Sequence, residues 1–300
     1  MAKSNKSIIS ALVANLLIAI TKFAAGGISN SSAMISEGIH SMVDTVNQLL
    51  LMYGIKQGNK PADEKRPFGY GREIFFWSFI VSILIFGLGG GISIYQGIVH
   101  ILHPEPLGDP FWNYVVLSAS ILFEGISFFI AAREFNKVRE GLSWWQAIKQ
   151  SKDPSLFVVL FEDGAAVSGL IVVMICVFIG HQYNNIYFDG AGSIMVGLIL
   201  VFTSLVLARE SRSLLMGEGI KSSTQQKIVS IISNDPAAEK MTRIYSIYIS
   251  PEEALLILTI QFDVSIGTRE LDTALDRFRS TIQTQFRQIK YVIIQPEFTP

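Results

Sequence analysis

The chain has 300 residues, 50% of them hydrophobic and only 16% charged, with a mean hydropathy of +0.41 and a net charge of −1. That is too apolar for an ordinary soluble protein of this size, and it leaves no basic footprint for nucleic acid. The single cysteine, Cys176, lies in an apolar run; it excludes an intramolecular disulfide and reads as core packing.

The N-terminal MAKSNKSIIS places Lys3 and Lys6 before a long apolar stretch with no small-x-small cleavage site after it, so the stretch reads as a retained first span. It also lacks the arginine-rich, amphipathic pattern of a mitochondrial presequence. A bilayer core needs about 20 helical residues. Six candidate spans follow in order, near 7–27, 32–54, 74–100, 112–132, 156–180 and 188–208. The second and fifth carry charge.

The connecting segments divide by charge. Lys56, Lys60, Lys65, Arg66 and Arg72 follow the second span. Arg133, Lys137, Arg139, Lys149 and Lys152 follow the fourth, and Arg209 and Arg212 the sixth. The segments near 28–31, 101–111 and 181–187 contain neither Lys nor Arg. Basic loops stay in the cytoplasm, so both termini are expected there. Lys22 is the basic residue inside a span. It reads either as snorkelling to the outer interface or as pairing with a buried acid.

From about residue 213 the pattern changes. SSTQQKIVSIISND reads as an amphipathic helix, MTRIYSIYIS and ALLILTIQFDVS as strands around a turn at Pro251, TRELDTALDRFRSTIQTQF as a second helix and KYVIIQPEF as a last strand. The expected fold class is therefore an α-helical membrane protein, residues 1–212 with six transmembrane helices, plus a small cytoplasmic α+β domain of order αββαβ at 213–300.

The charged stretch SEGIHSMVDT lies in the second span. On a helix, His40 and Asp44 stand one above the other at i and i+4, with Glu37 and Asn47 continuing the stripe. In the fifth span, VVLFEDGAAVSG places Glu162 and Asp163 about two turns from the cytoplasmic end. The second span enters from outside and the fifth from inside, so the two acidic groups reach similar depths. Adjacent residues differ by about 100° around a helix, so at most one of Glu162 and Asp163 points straight at a given target. Glycine, alanine and serine at 164–166, 168 and 169 allow a neighbouring helix to approach closely.

A histidine and several carboxylates converging in a low-dielectric interior form a chelator for a divalent cation: Zn²⁺, Mn²⁺, Fe²⁺ or Co²⁺. The cation offsets the desolvation of the carboxylates, and protons take its place when it leaves. The expected metal site is His40, Asp44, Asp163 and Glu162, with Glu37, Asn47 and Glu124 as supporting groups or a proton relay. Glu37 also reads as structural, Glu124 as a partner for Lys22, His100 and His103 as loop residues, and Asp189 as a helix cap. An intramembrane metalloprotease would need a His-Glu-x-x-His helix or a third nitrogen ligand. Of His40, His100, His103 and His181, only His40 lies deep in a span.

These features together resemble the cation diffusion facilitator family over nearly the whole chain. RPFGYGR after the second span and HPEP after the third resemble its loops. SEGIHSMVDTVNQ, SKDPS and LFEDGAAVSG resemble the subgroup that contains the ninth vertebrate zinc transporter. The resemblance implies a homodimer that exports divalent metal from the cytoplasm by proton antiport. The site histidine leans toward zinc as the cargo, the missing presequence toward a bacterial plasma membrane, and alternating access is the expected mechanism. It assigns His40 and Asp44 to the transport site. In the fifth span the family pairs His or Asp with Asp four residues later, whereas Val159 precedes Asp163 here, which leaves Glu162 or water to complete the site. Loop histidines of well-studied bacterial members correspond to Arg66 and Tyr70. The aligned positions in the last segment are Gln261 and Gln295, and 213–300 holds no histidine or cysteine, so a dimerising domain without tight metal is expected. Other readings of the same fold are a manganese, iron or cobalt transporter and a non-transporting membrane metal receptor.

Overall fold

The computed structural model describes residues 2–104, 111–139 and 141–298, and leaves out the side chains of 2–14, 138, 149–150 and 155–156. Lys3, Lys6 and Lys149, as side chains, and the Glu105–Pro106 half of the HPEP segment lie outside the described residues. The chain divides into two compact units. One comprises Met1–Lys56, Ile74–Lys149 and Pro154–Arg212, the other Gln57–Glu73, Gln150–Asp153 and Ser213–Pro300.

The first unit is helical: α1 (Ala2–Ser29), α2 (Ser32–Gly58), α3 (Glu73–Leu84), α4 (Ile92–Leu102), α5 (Phe111–Val138), α6 (Trp144–Gln150), α7 (Pro154–Gln182) and α8 (Tyr187–Met216). Among the described residues, four stretches are long and apolar enough to cross a membrane: Glu73–Leu102, Phe111–Lys137, Phe157–Gln182 and Tyr187–Met216. Asn15–Ser29 is a shorter apolar helix. α2 matches the predicted second span in position, but its stripe of Glu37, His40 and Asp44 lowers its hydropathy. Asn30, at φ 51°, ends α1 in the left-handed region, and Ser31 N donates to Gly26 O, which lets α2 start after two residues. Pro154 opens α7, where a missing N–H costs nothing. α6 is absent from the sequence expectation. It is a seven-residue helix with Ala147 and Ile148 buried and Trp144 against Phe135, too short to show a period.

Between α3 and α4 the helix widens into a π-helical segment, Ile85–Gly91. This segment and α4 together meet α8 backbone to backbone. A Cβ added to Gly97 would stand 2.6 Å from Gly190 O, and one added to Gly197 would stand 2.9 Å from Gly90 O. Only glycine permits that approach at these positions. Between the two glycine pairs, Ser193 Oγ donates to Ser93 O at 2.8 Å and also bonds Ser36 Oγ of α2. α5 packs along α7 and against α1.

The second unit holds α9 (Ser222–Ser233), β1 (Lys240–Tyr248), β2 (Ala254–Phe262), α10 (Thr268–Gln285) and β3 (Ile289–Phe298), the αββαβ order. The strands lie in the order β1-β2-β3, antiparallel then parallel, with α10 as the crossover that a parallel pair requires. A bulge falls between Met241 and Arg243. Ile228 and Ile232 of α9 and Phe278 and Ile282 of α10 bury Leu256, Leu258 and Ile260 of the central strand. Phe68 of the segment after α2 stacks edge-on against Tyr291, Arg72 donates to Leu215 O, and Lys152 pairs with Glu218.

Candidate transport site

α2 and α7 each bring acidic groups to a cavity of about 230 Å³ in the helical unit. Asp44, Glu162, Asp163 and Glu124 line it, together with Ser41 and Ser127. The i, i+4 spacing on α2 sets His40 Nδ1 3.3 Å from Asp44 Oδ1. Asn47, one turn further, donates to Glu162 Oε1 at 2.8 Å across to α7. Asp163 turns the other way and accepts from Ser127 Oγ of α5 at 2.8 Å. The adjacent acids of α7 are thus divided between two neighbours, as the turn of a helix requires.

His40, Asp44, Asn47, Glu162 and Asp163 are buried, His40 at 2% exposure and Asp163 at 9%, while Glu124 is half-buried and Ser127 exposed. Nε2 of His40, Oδ1 of Asp44 and Oδ1 of Asn47 are buried without a hydrogen-bond partner among the described residues. Buried polar atoms are normally paired, so these acceptors, Asp44 on the cavity wall and His40 and Asn47 one turn to either side on the same helix, call for a ligand. The arrangement is open. Among the described residues, no three His, Cys, Asp or Glu side chains stand close enough together to hold a metal ion as they are.

The remaining charged positions fall into two clusters. Lys22 is fully buried and pairs with Glu37 and Glu124, so of its two sequence readings the snorkelling one is corrected. Two carboxylates and the Ser41 hydroxyl take the hydrogen bonds of the ammonium where it stands. Asp189, read as a cap at the start of its own helix, serves as the cap of α2. Its Oδ2 accepts from Ser32 N at 2.5 Å, Ser32 Oγ at 2.8 Å and Ala33 N at 3.3 Å, while Oδ1 bonds Ser31 Oγ. His100, read as a loop residue, ends α4 with Nδ1 3.6 Å from Asp189 Oδ2. Ser41 and Ser127 escaped the sequence reading. Serine in an apolar helix carries no signal until a partner helix is placed beside it.

The chain is 32% identical to the "Proton-coupled zinc antiporter SLC30A9, mitochondrial" of Xenopus laevis over 282 residues, 91% of this chain and 50% of that one. It spans about half the length of that relative and of the human protein of the same name. It is 24% identical to the "Manganese efflux system protein MneP" of Bacillus subtilis over 299 residues, 97% of this chain and 95% of the other. A solved MamM CTD variant covers 26% of this chain at 13% identity and a TM-score of 0.24. The profile of the family described as "Cation efflux transmembrane domain" matches residues 8–216. A multi-pass helical unit with buried carboxylates around one cavity, matched by that profile over most of its length, makes this chain a member of the cation efflux family, a family of transporters and not of enzymes.

Proposed function

We propose that the protein exports a divalent cation, zinc foremost, from the cytoplasm in exchange for protons. The observation that carries this reading is the gathering of Asp44, Glu162 and Asp163 on one cavity, with unpaired acceptors on His40, Asp44 and Asn47 beside it. Carboxylate and imidazole ligands approach zinc to about 2.0–2.2 Å. To close on an ion, Asp163 leaves Ser127 and Glu162 leaves Asn47, while His40 and Asp44 stay on their helix. Release runs in reverse: protons neutralise the carboxylates and charge His40, and the cation loses its ligands. Alternating access follows when α2 and α7 rock against the other helices.

In this reading α1, α2, the α3–α4 pair, α5, α7 and α8 are six spans, with residues 1–212 as the transport domain and both termini cytoplasmic. Residues 213–300 form a homodimerisation domain that binds no metal tightly, since no histidine or cysteine occurs there. The similarity to named proton-coupled zinc antiporters supports the cargo and the exchange ion. Manganese is the second reading. It is favoured by an oxygen-rich ligand set and by the manganese efflux relative, which the chain matches over 95% of its length.

Flux into proteoliposomes under a pH gradient, with Zn²⁺, Mn²⁺, Cd²⁺ and Fe²⁺ in competition, tests both. Zinc is expected to be carried in preference, and Asp44→Ala to stop transport while the protein stays monodisperse. Normal flux through Asp44→Ala would remove the site assignment.

A further inference from the structure

One buried cation takes no part in the steps above. Lys22 of α1 is fully buried, and its ammonium donates to Ser41 Oγ at 2.7 Å, Glu37 Oε2 at 3.2 Å and Glu124 Oε1 at 3.3 Å. Those are all three protons that an ammonium has. The acceptors come from α2 and α5, so three helices meet at one nitrogen. Two of the acceptors, Ser41 and Glu124, also line the cavity of Asp44, Glu162 and Asp163. Glu37 has an oxygen to spare: Oε1 is buried with no hydrogen-bond partner among the described residues. It lies against α7 at Gly169, where an added Cβ would be 2.8 Å from it.

Two carboxylates and a hydroxyl around a single centre form an oxygen cage of the kind that hard cations occupy. Here the centre is filled by a charge tied to the chain. A staple meant only to join α1 to α2 would need one carboxylate. The second, Glu124, places the cage on the wall of the cavity and leaves the cluster with one negative charge in excess. Without the ammonium, two uncompensated carboxylates would stand beside three more.

We propose that Lys22 is a resident cation, its ammonium filling a second cation position formed by Glu37, Ser41 and Glu124 beside the transport cavity and so confining the divalent cargo to the Asp44, Glu162 and Asp163 side. The inference rests on the transport reading. Lys22 is a positioning residue that decides how many ions the cavity region holds.

The test is the number of Zn²⁺ ions bound per chain by the full-length protein in detergent, with Zn²⁺ as the only added metal. Wild type is expected to bind one and Asp44→Ala none; failure of this pair counts against the transport site itself. Lys22→Ala is expected to bind one more ion than wild type. Lys22→Arg, which keeps the charge, and Lys22→Ala/Glu124→Gln, which dismantles the cage, are expected to return to the wild-type number. A monodisperse Lys22→Ala protein with no additional ion overturns the proposal, as does an additional ion that survives Glu124→Gln. Should Lys22→Ala aggregate without metal, recovery of monodisperse protein on adding Zn²⁺ supports the proposal, because a free cation then replaces the tethered one. Aggregation regardless of Zn²⁺ overturns it.

Discussion

Replacing Gly97 by alanine tests the close approach of α4 and α8. The new Cβ would lie 2.6 Å from Gly190 O and 2.8 Å from Ile194 N, while ordinary contact begins at 3.4 Å, roughly 0.8 Å further out than the oxygen. Both obstacles are backbone of a packed helix, which has no rotamer to change. Forcing an extra carbon into such a contact costs about 1–3 kcal/mol. Alanine's better helix propensity returns about 1 kcal/mol at most. The net expectation is a loss of about 1 kcal/mol, or roughly a fivefold fall in the folded-to-unfolded ratio. Gly125→Ala on α5 is the control: nothing lies within 4 Å of its added carbon, so only the propensity gain of about 0.5–1 kcal/mol remains and the sign reverses. Unfolding of both variants in detergent, followed by helical circular dichroism, gives the comparison. Gly190→Ala should repeat the loss, and Gly97→Ala/Gly190→Ala should fall short of additivity because the two share one contact. Equal stability of Gly97→Ala and Gly125→Ala would refute the argument.

Three further outcomes are expected. Asp189→Ala leaves Ser32 N and Ala33 N without their acceptor, at a cost of about 1–2 kcal/mol; hydrogen exchange at the start of α2 should speed up about tenfold, and unchanged exchange would count against the cap. Ser127→Ala removes the hydroxyl that holds Asp163 away from an ion, a bond worth about 1 kcal/mol, so zinc should bind about fivefold more tightly; weaker binding would show that Ser127 assists the site. In the second unit, the side-chain bonds from Arg277, with help from Ala237 N, hold the Asp235 carboxyl below the usual carboxylate range. Since the folded value is the lower one, the pair's stabilisation is present above the unfolded carboxylate pKa of about 3.9 and fades as pH falls through the folded value. Protection of the α9–β1 connection against exchange, compared between wild type and Arg277→Met, should therefore differ at neutral pH and converge in acid.

Much of this architecture is written in local patterns. Apolar runs of helical length, alternation in β1 and β2, and the i, i+4 relation of His40 and Asp44 need only the geometry of a single element. What sequence could not supply are relations between elements. The split of Glu162 toward Asn47 and Asp163 toward Ser127 depends on which helices flank α7. Asp189 reads as a cap from its place at the start of α8, but its service to α2, some 157 positions away, is a matter of packing. Lys22 had two readings because burial is decided by neighbours, and α6 is too short to show a period at all. The π-helical segment has no local signature beyond its glycines, which also occur in plain helices.

That segment has a consequence for the way the third span is presented to its surroundings. A turn at Ile85–Gly91 closed by i to i+5 bonds instead of i to i+4 holds an additional residue, so the angular phase of every later side chain is offset. α3 and α4 are collinear in name but out of step. Phe75, Ser78 and Ser82 before the wide turn and Ser93 and Gly97 after it are all buried, and the additional residue between them rotates the second set away from the line of the first. Labelling scans along residues 73–102 will show two accessibility rhythms joined at the wide turn, and each half can turn its own face toward a different neighbour.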